Sequence, residues 1–389
     1  MTLDTMEMCG GDMSVTAIET LCCRDDAFGH SSQLDQLFLE AMRENYLLQW
    51  ERQPFVRWLG ERAGFGPDQL QEYADIFRIP PLFVGTMKQH PFNTVPESEI
   101  VLTLTSSGTA GQKTRTFMDR ASLARLERLS RAVFKAAGYQ SDIPAHLFIF
   151  NYDPSHAADV GTAWSAEQKA ALTPALSKQW TILWDEQKQA FDFDPRRWAE
   201  ALLAVPPDQP VRLIGFPAFI YRCVLELCNL NPAFRVHPQS FVICGGGWKN
   251  HQGEVLTHRD FAGFLERSIG LPAKNVRDIF GMAEHGIPYA ACAEGRHHLP
   301  VYGRLAVVDP LSLRPLALGE EGLLQLLTPF NTAQSNLSVL ATDLAVLADN
   351  CPCGLAGSYI ASIRRGGVRK YKGCAIAAQE ILNRAGGQS

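Results

Sequence analysis

The sequence predicts an α/β fold with mixed sheets flanked by helices and a small β-rich subdomain. Two observations carry that prediction. Between residues 96 and 300, short apolar runs of strand length alternate with stretches of helical periodicity, as in layered α/β domains. After Pro300 the texture changes to shorter strands in succession. The chain has 389 residues, 46% of them hydrophobic, which is enough to fill a core of that size.

In order along the chain, residues 1–30 show no clear period and are expected to pack poorly. Residues 31–95 read as a helical region: Leu34, Leu37, Phe38 and Met42 recur at helical spacing, as do Phe55, Trp58 and Leu59, and Pro80-Pro81 ends the run. A core of residues 96–300 follows. Its helix after Asp119 has an N-cap there, an apolar stripe of Leu123, Leu126, Leu129, Val133 and Phe134, and Gly138 as a stop. Leu147–Phe150, Val211–Ile214 and Phe241–Cys244 are apolar runs of buried-strand length. Residues 301–363 form the β-rich part, with strands near Leu305–Val308, Gly322–Leu327 and Ser338–Leu340, and residues 364–389 form a hinge-like C-terminal segment.

Composition excludes several classes. A net charge of −5 carries no basic footprint for nucleic acid. No apolar stretch of about 18 residues is present, so no membrane span is expected. The acidic start, Met1 to Met8, lacks the basic flank and apolar core of a signal peptide. The ten cysteines then read as thiols or metal ligands in a cytoplasmic protein.

The most informative stretch is Ser106-Ser-Gly-Thr-Ala-Gly-Gln-Lys-Thr114, directly after the β-branched run Ile100–Thr105. Small residues at Ser106, Ser107, Gly108, Thr109 and Gly111 let backbone N–H groups approach an anion, and Lys113 adds charge. A Walker loop needs four residues between its first glycine and Gly-Lys. Here two separate Gly108 from Gly111, and Gln112 intervenes before Lys113. A Gly/Ser hairpin with Thr116–Met118 as its return strand is the competing reading. The loop carries a lysine and five hydroxyls from Thr105 to Thr114 that a plain turn does not need.

Further motifs follow in order: Gly215-Phe216-Pro217, Cys244-Gly245-Gly246-Gly247-Trp248-Lys249, Phe280-Gly281-Met282-Ala283-Glu284-His285, Ala341-Thr-Asp343, and Arg364-Arg365 ahead of Lys370-Tyr-Lys-Gly-Cys374. Together with the phosphate loop they resemble the adenylate-forming enzymes. The closest resemblance is to the acyl-protein synthetase (LuxE) family, with phenylacetate–CoA ligases more distant. It covers nearly everything after residue 35. It implies the N-terminal-type domain of an adenylate-forming enzyme, with ATP and Mg²⁺ as cofactors.

Residue by residue, the resemblance makes Glu284 the Mg²⁺ ligand. It sets Phe280, Gly281, Met282 and Ala283 beside the nucleotide, and Gly245, Gly246 and Gly247 beside adenine. Ala283 stands where the family has Thr, which removes one hydroxyl near the α-phosphate. Asp343 takes the ribose hydroxyls. Arg364 contacts ribose or phosphate, with Arg365 as the competing choice, and Ile363 replaces the family's Gly. The acid pocket is expected among Phe216, Pro217, Trp248 and His285. Adenylate-forming enzymes carry a further mobile domain with a catalytic lysine. Only 16 residues follow Gly373 here, so a truncated lid is expected, as in acyl-protein synthetases. In those, a cysteine near the C-terminus takes the acyl group. Cys374 matches it, with Lys370 and Lys372 to lower its thiol pKa, and a plain buried cysteine is the alternative.

Cys292, His298, Cys351 and Cys353 form a possible structural Zn²⁺ set, with His297 competing for the imidazole place and buried thiols as the alternative. The reading is therefore an acid–thiol ligase. It forms an acyl-adenylate from a fatty or aromatic acid, releases pyrophosphate, and passes the acyl group to a thiol or a partner carrier protein. An acyl-CoA ligase and a non-catalytic nucleotide-binding protein are the alternatives.

Overall fold

The computed structural model describes residues 16–105, 114–157, 161–248 and 256–366. Helix α1 (Ala17–Cys22) opens it, capped by Thr16. The sequence leaves residues 16–30 unpacked, and here the structure differs. Six residues are too few to show a stripe, but Ile18, Leu21 and Cys22 are buried. Glu44 accepts from the N–H groups of Ala17 at 2.8 Å and Ile18 at 3.1 Å, a tertiary cap on a helix too short to stand alone. Glu44 belongs to α2 (Ser32–Arg52), which leads into α3 (Pro54–Ala63).

Next come β1 (Leu82–Phe83), α4 (Val84–Met87), β2 (Ile100–Thr105), β3 (Arg115–Asp119) and α5 (Arg120–Ala136). Asp119 caps α5 as expected, accepting from the Ser122 N–H at 2.7 Å, and Gly138 beyond its end takes φ 77°. β2 and β3 pair antiparallel up to Thr105 and Arg115. The segment 106–113 therefore joins two paired strands.

The α/β core runs β4 (Ala145–Tyr152), α6 (Pro154–Ala157), α7 (Gly161–Ala170), β5 (Ala175–Asp185), β6 (Ala190–Asp192), α8 (Pro195–Leu203), β7 (Val211–Gly215), α9 (Pro217–Leu230), β8 (Phe241–Gly245), α10 (His258–Ile269), β9 (Val276–Phe280) and β10 (Tyr289–Ala290). These strands form one sheet in the order β10-β9-β8-β7-β4-β5-β6. Its five central strands are parallel, and antiparallel β6 and β10 close the edges. Buried residues of α8, α9 and α10 pack with one face of the sheet, and those of α5 and α7 with the other.

The last part is antiparallel: β11 (His297–His298), β12 (Arg304–Val308), β13 (Glu321–Leu327), β14 (Ser338–Ala348) and β15 (Tyr359–Arg365). The order is β11-β15-β14-β13-β12, with β1 parallel to β14. The helical N-terminal region packs here, with Leu34, Phe38 and Met42 of α2 in one core with Leu305, Leu324 and Leu326. Because β11 pairs with β15, the chain changes sheets between Ala290 and His297, slightly before Pro300. Among the described residues, no helix is long and apolar enough to cross a membrane.

Candidate active site

β5 lies on one side of β4, whereas β7, β8 and β9 lie on the other. The chain therefore reverses direction between β4 and β7. In open α/β sheets, ligands bind in the crevice outside the carboxyl ends of the strands at such a point. Gly215 ends β7 there with φ 133°, and a Cβ on it would lie 2.2 Å from the Phe150 carbonyl oxygen. Only glycine lets the two strand ends come this close. The next residue, Phe216, donates its N–H to the same oxygen at 3.0 Å. Its ring is buried, edge-on to Tyr152 at 5.8 Å, and Phe191 packs on Tyr152 at 4.8 Å. Pro217 starts α9 and is also buried. Phe216 and Pro217 thus build a wall whose accessible ring is Tyr152, a residue that the sequence reading did not single out.

β8 ends in the glycine loop, where Gly246 and Gly247 take φ 78° and 69°. Two left-handed residues in succession turn the backbone sharply away from the sheet. Half-buried Trp248 follows, its ring 5.9 Å from Tyr221 and 5.6 Å from Phe261. β9 ends in Phe280, packed 5.8 Å from the Tyr289 ring. Gly281 is exposed, Met282 and Ala283 are half-buried, and Glu284 is buried, with its carbonyl accepting from Asn336 Nδ2 at 3.1 Å. His285 turns inward. It is fully buried with Nε2 2.7 Å from the Tyr289 hydroxyl, and burial lowers it to about 3, so the ring is neutral.

Asp343 of β14 comes to this place from the second sheet. Burial raises its carboxyl, Arg365 opposes that shift, and the charge of Glu284 adds to it. Asp343 and Glu284 are thus electrostatic neighbours, although 59 residues (343 − 284) separate them in the chain. Asp343 lies opposite Arg365 in the β14–β15 register. Arg364 lies opposite Leu344, and its Nε donates to Glu321 at 2.9 Å. Adjacent strand residues point to opposite faces. Of the two candidate arginines, the structure brings Arg365 to Asp343 and ties Arg364 to Glu321. The strand extends through Arg365, so residues 364 and 365 belong to the sheet.

The segment read as a phosphate loop, Ser106 to Lys113, and Cys374 lie outside the described residues. Both flanks of that loop are described. A methyl on Gly161, at the start of α7, would lie 3.4 Å from the Thr105 carbonyl oxygen and 4.0 Å from the Ala283 methyl. The exit of β2 and the Glu284 motif therefore meet at one helix end.

A second cluster lies where the two sheets join. Cys292 follows β10, His298 is in β11, and Cys351 and Cys353 sit between β14 and β15. Their four ligand atoms lie within 4.8 Å of one another. The Cys292 and Cys351 sulfurs are 3.8 Å apart, and Cys353 Sγ is 3.2 Å from His298 Nε2. A tetrahedron with Zn–S of ~2.3 Å separates sulfurs by ~3.8 Å, so the donor set fits that ion. Burial, with Arg296 nearby, lowers His298 to about 4, which leaves the neutral imidazole that a metal takes. His297 instead bonds Asp278 at 3.1 Å and is not part of the set.

The family model of the acyl-protein synthetases, LuxE, matches residues 31–383. The chain belongs to the LuxE acyl-protein synthetase family. With that comes its class: a ligase that activates an acid and transfers the acyl group. It is 24% identical over 371 residues to a long-chain-fatty-acid–luciferin-component ligase of Aliivibrio fischeri, covering 91% of this chain and 95% of the relative. The ligase of the same name from Vibrio harveyi is 26% identical over 354 residues, 89% of this chain and 88% of the relative. A solved 2-hydroxyisobutyryl-CoA ligase in complex with 2-HIB-AMP and CoA superposes with TM-score 0.67 at 19% identity, over 88% of this chain and 70% of that one. That likeness establishes the adenylate-forming fold.

Within this LuxE-family chain, the sequence reading did not single out Tyr152 and placed Arg364 ahead of Arg365. The rule that ligands bind at the switch point would have pointed to the end of β4, had the strand order been known. The β14–β15 register needed the three-dimensional pairing.

Proposed function

We propose that this ligase uses ATP to convert a carboxylic acid into an acyl-adenylate, and that Cys374 then accepts the acyl group for delivery to a partner protein. The observation that carries this reading is the convergence of Glu284, Asp343 and Arg365 beside the exit of β2. Asp343 holds the ribose hydroxyls and Arg365 the adjoining phosphate. Lys113 and the loop N–H groups hold the outer phosphates. Glu284 is the residue to hold Mg²⁺, which when bound neutralises phosphate charge. The acid lies at the β4–β7 crevice against Tyr152, where its carboxylate oxygen can attack the α-phosphorus in line with departing pyrophosphate. A thiolate of Cys374 then attacks the acyl carbonyl carbon. The C–O bond to phosphate breaks, AMP leaves, and a thioester remains. The relatives' names specify a long-chain fatty acid. For this chain, the acid class is fatty or aromatic.

With a labelled acid and ATP, the protein is expected to exchange pyrophosphate and to carry a hydroxylamine-sensitive acyl group. Cys374→Ala is expected to keep exchange and lose the acyl-enzyme. Loss of exchange together with acylation would mean that Cys374 is not simply the acceptor. Arg365→Ala is expected to raise the KM for ATP at least tenfold, and Arg364→Ala less than threefold, on the scale of one charged hydrogen bond. The reverse order of the two arginines returns the assignment to Arg364.

We also propose a structural zinc at Cys292, His298, Cys351 and Cys353. Four protein ligands close the coordination shell, so the ion serves the join between the sheets and not the reaction.

A further inference from the structure

Helix α7 carries a charged side chain to which the reaction above assigns no role. Lys169 is only 8% exposed and belongs to a helix that also buries Ala163, Ala166 and Ala170. A methyl on Gly245 would sit 3.2 Å from its amine nitrogen. The ammonium group therefore lies against the end of β8, where the Gly245–Gly247 loop begins. Among the described residues, its amine has no hydrogen-bond or ion-pair partner. The carboxylate nearest in influence is Asp278, which is already bonded to His297 at 3.1 Å. Burial lowers the amine to about 8, against the pull of Asp278. A buried ammonium is costly unless an acceptor reaches it, and its three donors have a fixed anchor in a packed helix.

The position along α7 says which part of a ligand it meets. The other end of the helix, Gly161, touches the phosphate side of the site at Thr105 and Ala283. Eight residues separate Gly161 from Lys169, about 12 Å of helix axis. A helical side chain leans toward the N-terminus and shortens that span, and the amine comes to rest at Gly245, at the end of β8. Lys169 therefore stands at the far end of the site from the reacting phosphate. A plain alkyl chain gives a buried ammonium nothing to bond.

We propose that Lys169 is a specificity-determining residue that binds a second acceptor group of the acid, a carboxylate or hydroxyl remote from the carboxylate that is activated. The substrate class is then a dicarboxylic or hydroxylated acid. This rests on the acid-activation reading, and the experiment separates the two.

Pyrophosphate exchange is measured on the full-length protein with matched acids: adipate against hexanoate, 4-hydroxybenzoate against benzoate, and tetradecanoate as the plain fatty acid. The same acids are titrated calorimetrically without ATP, and both measurements are repeated with Lys169→Met. The wild type is expected to favour the acceptor-bearing member at least tenfold, chiefly through KM, and Lys169→Met to bring that ratio within about twofold. A wild type that treats the pairs alike, or prefers hexanoate, benzoate or tetradecanoate, overturns the proposal. A ratio unchanged in Lys169→Met does the same. If that variant does not fold, the wild-type pairs decide alone. If no acid supports exchange, the activation reading fails, and calorimetry decides Lys169 separately: stronger binding of the acceptor-bearing acids supports it, and equal or absent binding overturns it.

Discussion

Glu284→Gln is expected to lower ATP–pyrophosphate exchange by about 10²–10³-fold, the usual cost of deleting one preorganised charge-stabilising group. Glutamine keeps the shape of a buried side chain, and the Asn336 bond is to the backbone carbonyl, so the fold should stand. Only the charge is lost. Asp343→Asn should instead act on nucleotide binding, raising the KM for ATP by about tenfold to a hundredfold. The two changes are coupled. The charge of Glu284 adds to the burial that raises the Asp343 carboxyl. Removing it lets Asp343 ionise at lower pH. The acid limb of ATP binding should therefore move to lower pH in Glu284→Gln and vanish in Asp343→Asn. Exchange at the wild-type rate in Glu284→Gln would falsify its assignment as the magnesium residue. An unshifted acid limb would sever the link to Asp343.

The second large effect concerns stability. Purified protein is expected to contain one zinc per chain by metal analysis. Cys351→Ser should lose the metal and about 3–5 kcal/mol of folding free energy, the upper range for a single substitution and reasonable for a lost structural ion. For a chain of this length that corresponds to a Tm drop of roughly 5 °C. The loss is large because the four ligands come from the edges of both sheets: a residue after β10, one in β11, and two between β14 and β15. Without the ion, burial pushes the Cys353 thiol up to about 12. A strong chelator should reproduce the loss in the wild type. Metal-free protein whose Tm responds neither to chelator nor to Cys351→Ser would mean that the cluster is four packed side chains and nothing more.

Much of this was legible in the chain itself. The strands Leu147–Phe150, Val211–Ile214 and Phe241–Cys244 formed where continuous apolar runs required burial on both faces. Asp119 capped the helix whose stripe it precedes, because a cap and a 3.6-residue period are local properties. The Cys/His cluster could be named because sulfur and imidazole together are an uncommon donor set, though its spacing matches no common finger, and the structure brings the four side chains together. The packing of α1 was not readable. Its cap comes from Glu44, on the next helix, and no local window contains that bond.

Candidate residues could be proposed from the sequence, the phosphate loop from its small residues and lysine, and Glu284, Asp343 and Cys374 from the motifs that resemble the family's. Which of them meet could not be named. Arg364 and Arg365 are equivalent in a string of letters, and strand register separates them, since neighbours on a strand face opposite ways. His285 follows the glutamate of its motif yet turns into the core to meet Tyr289. Lys169 reads as one charge near the end of an alanine-containing helix, and only folding sets its amine against the end of β8. Residue type and period act over a few neighbours, whereas register, burial and charge proximity arise from contacts between distant segments.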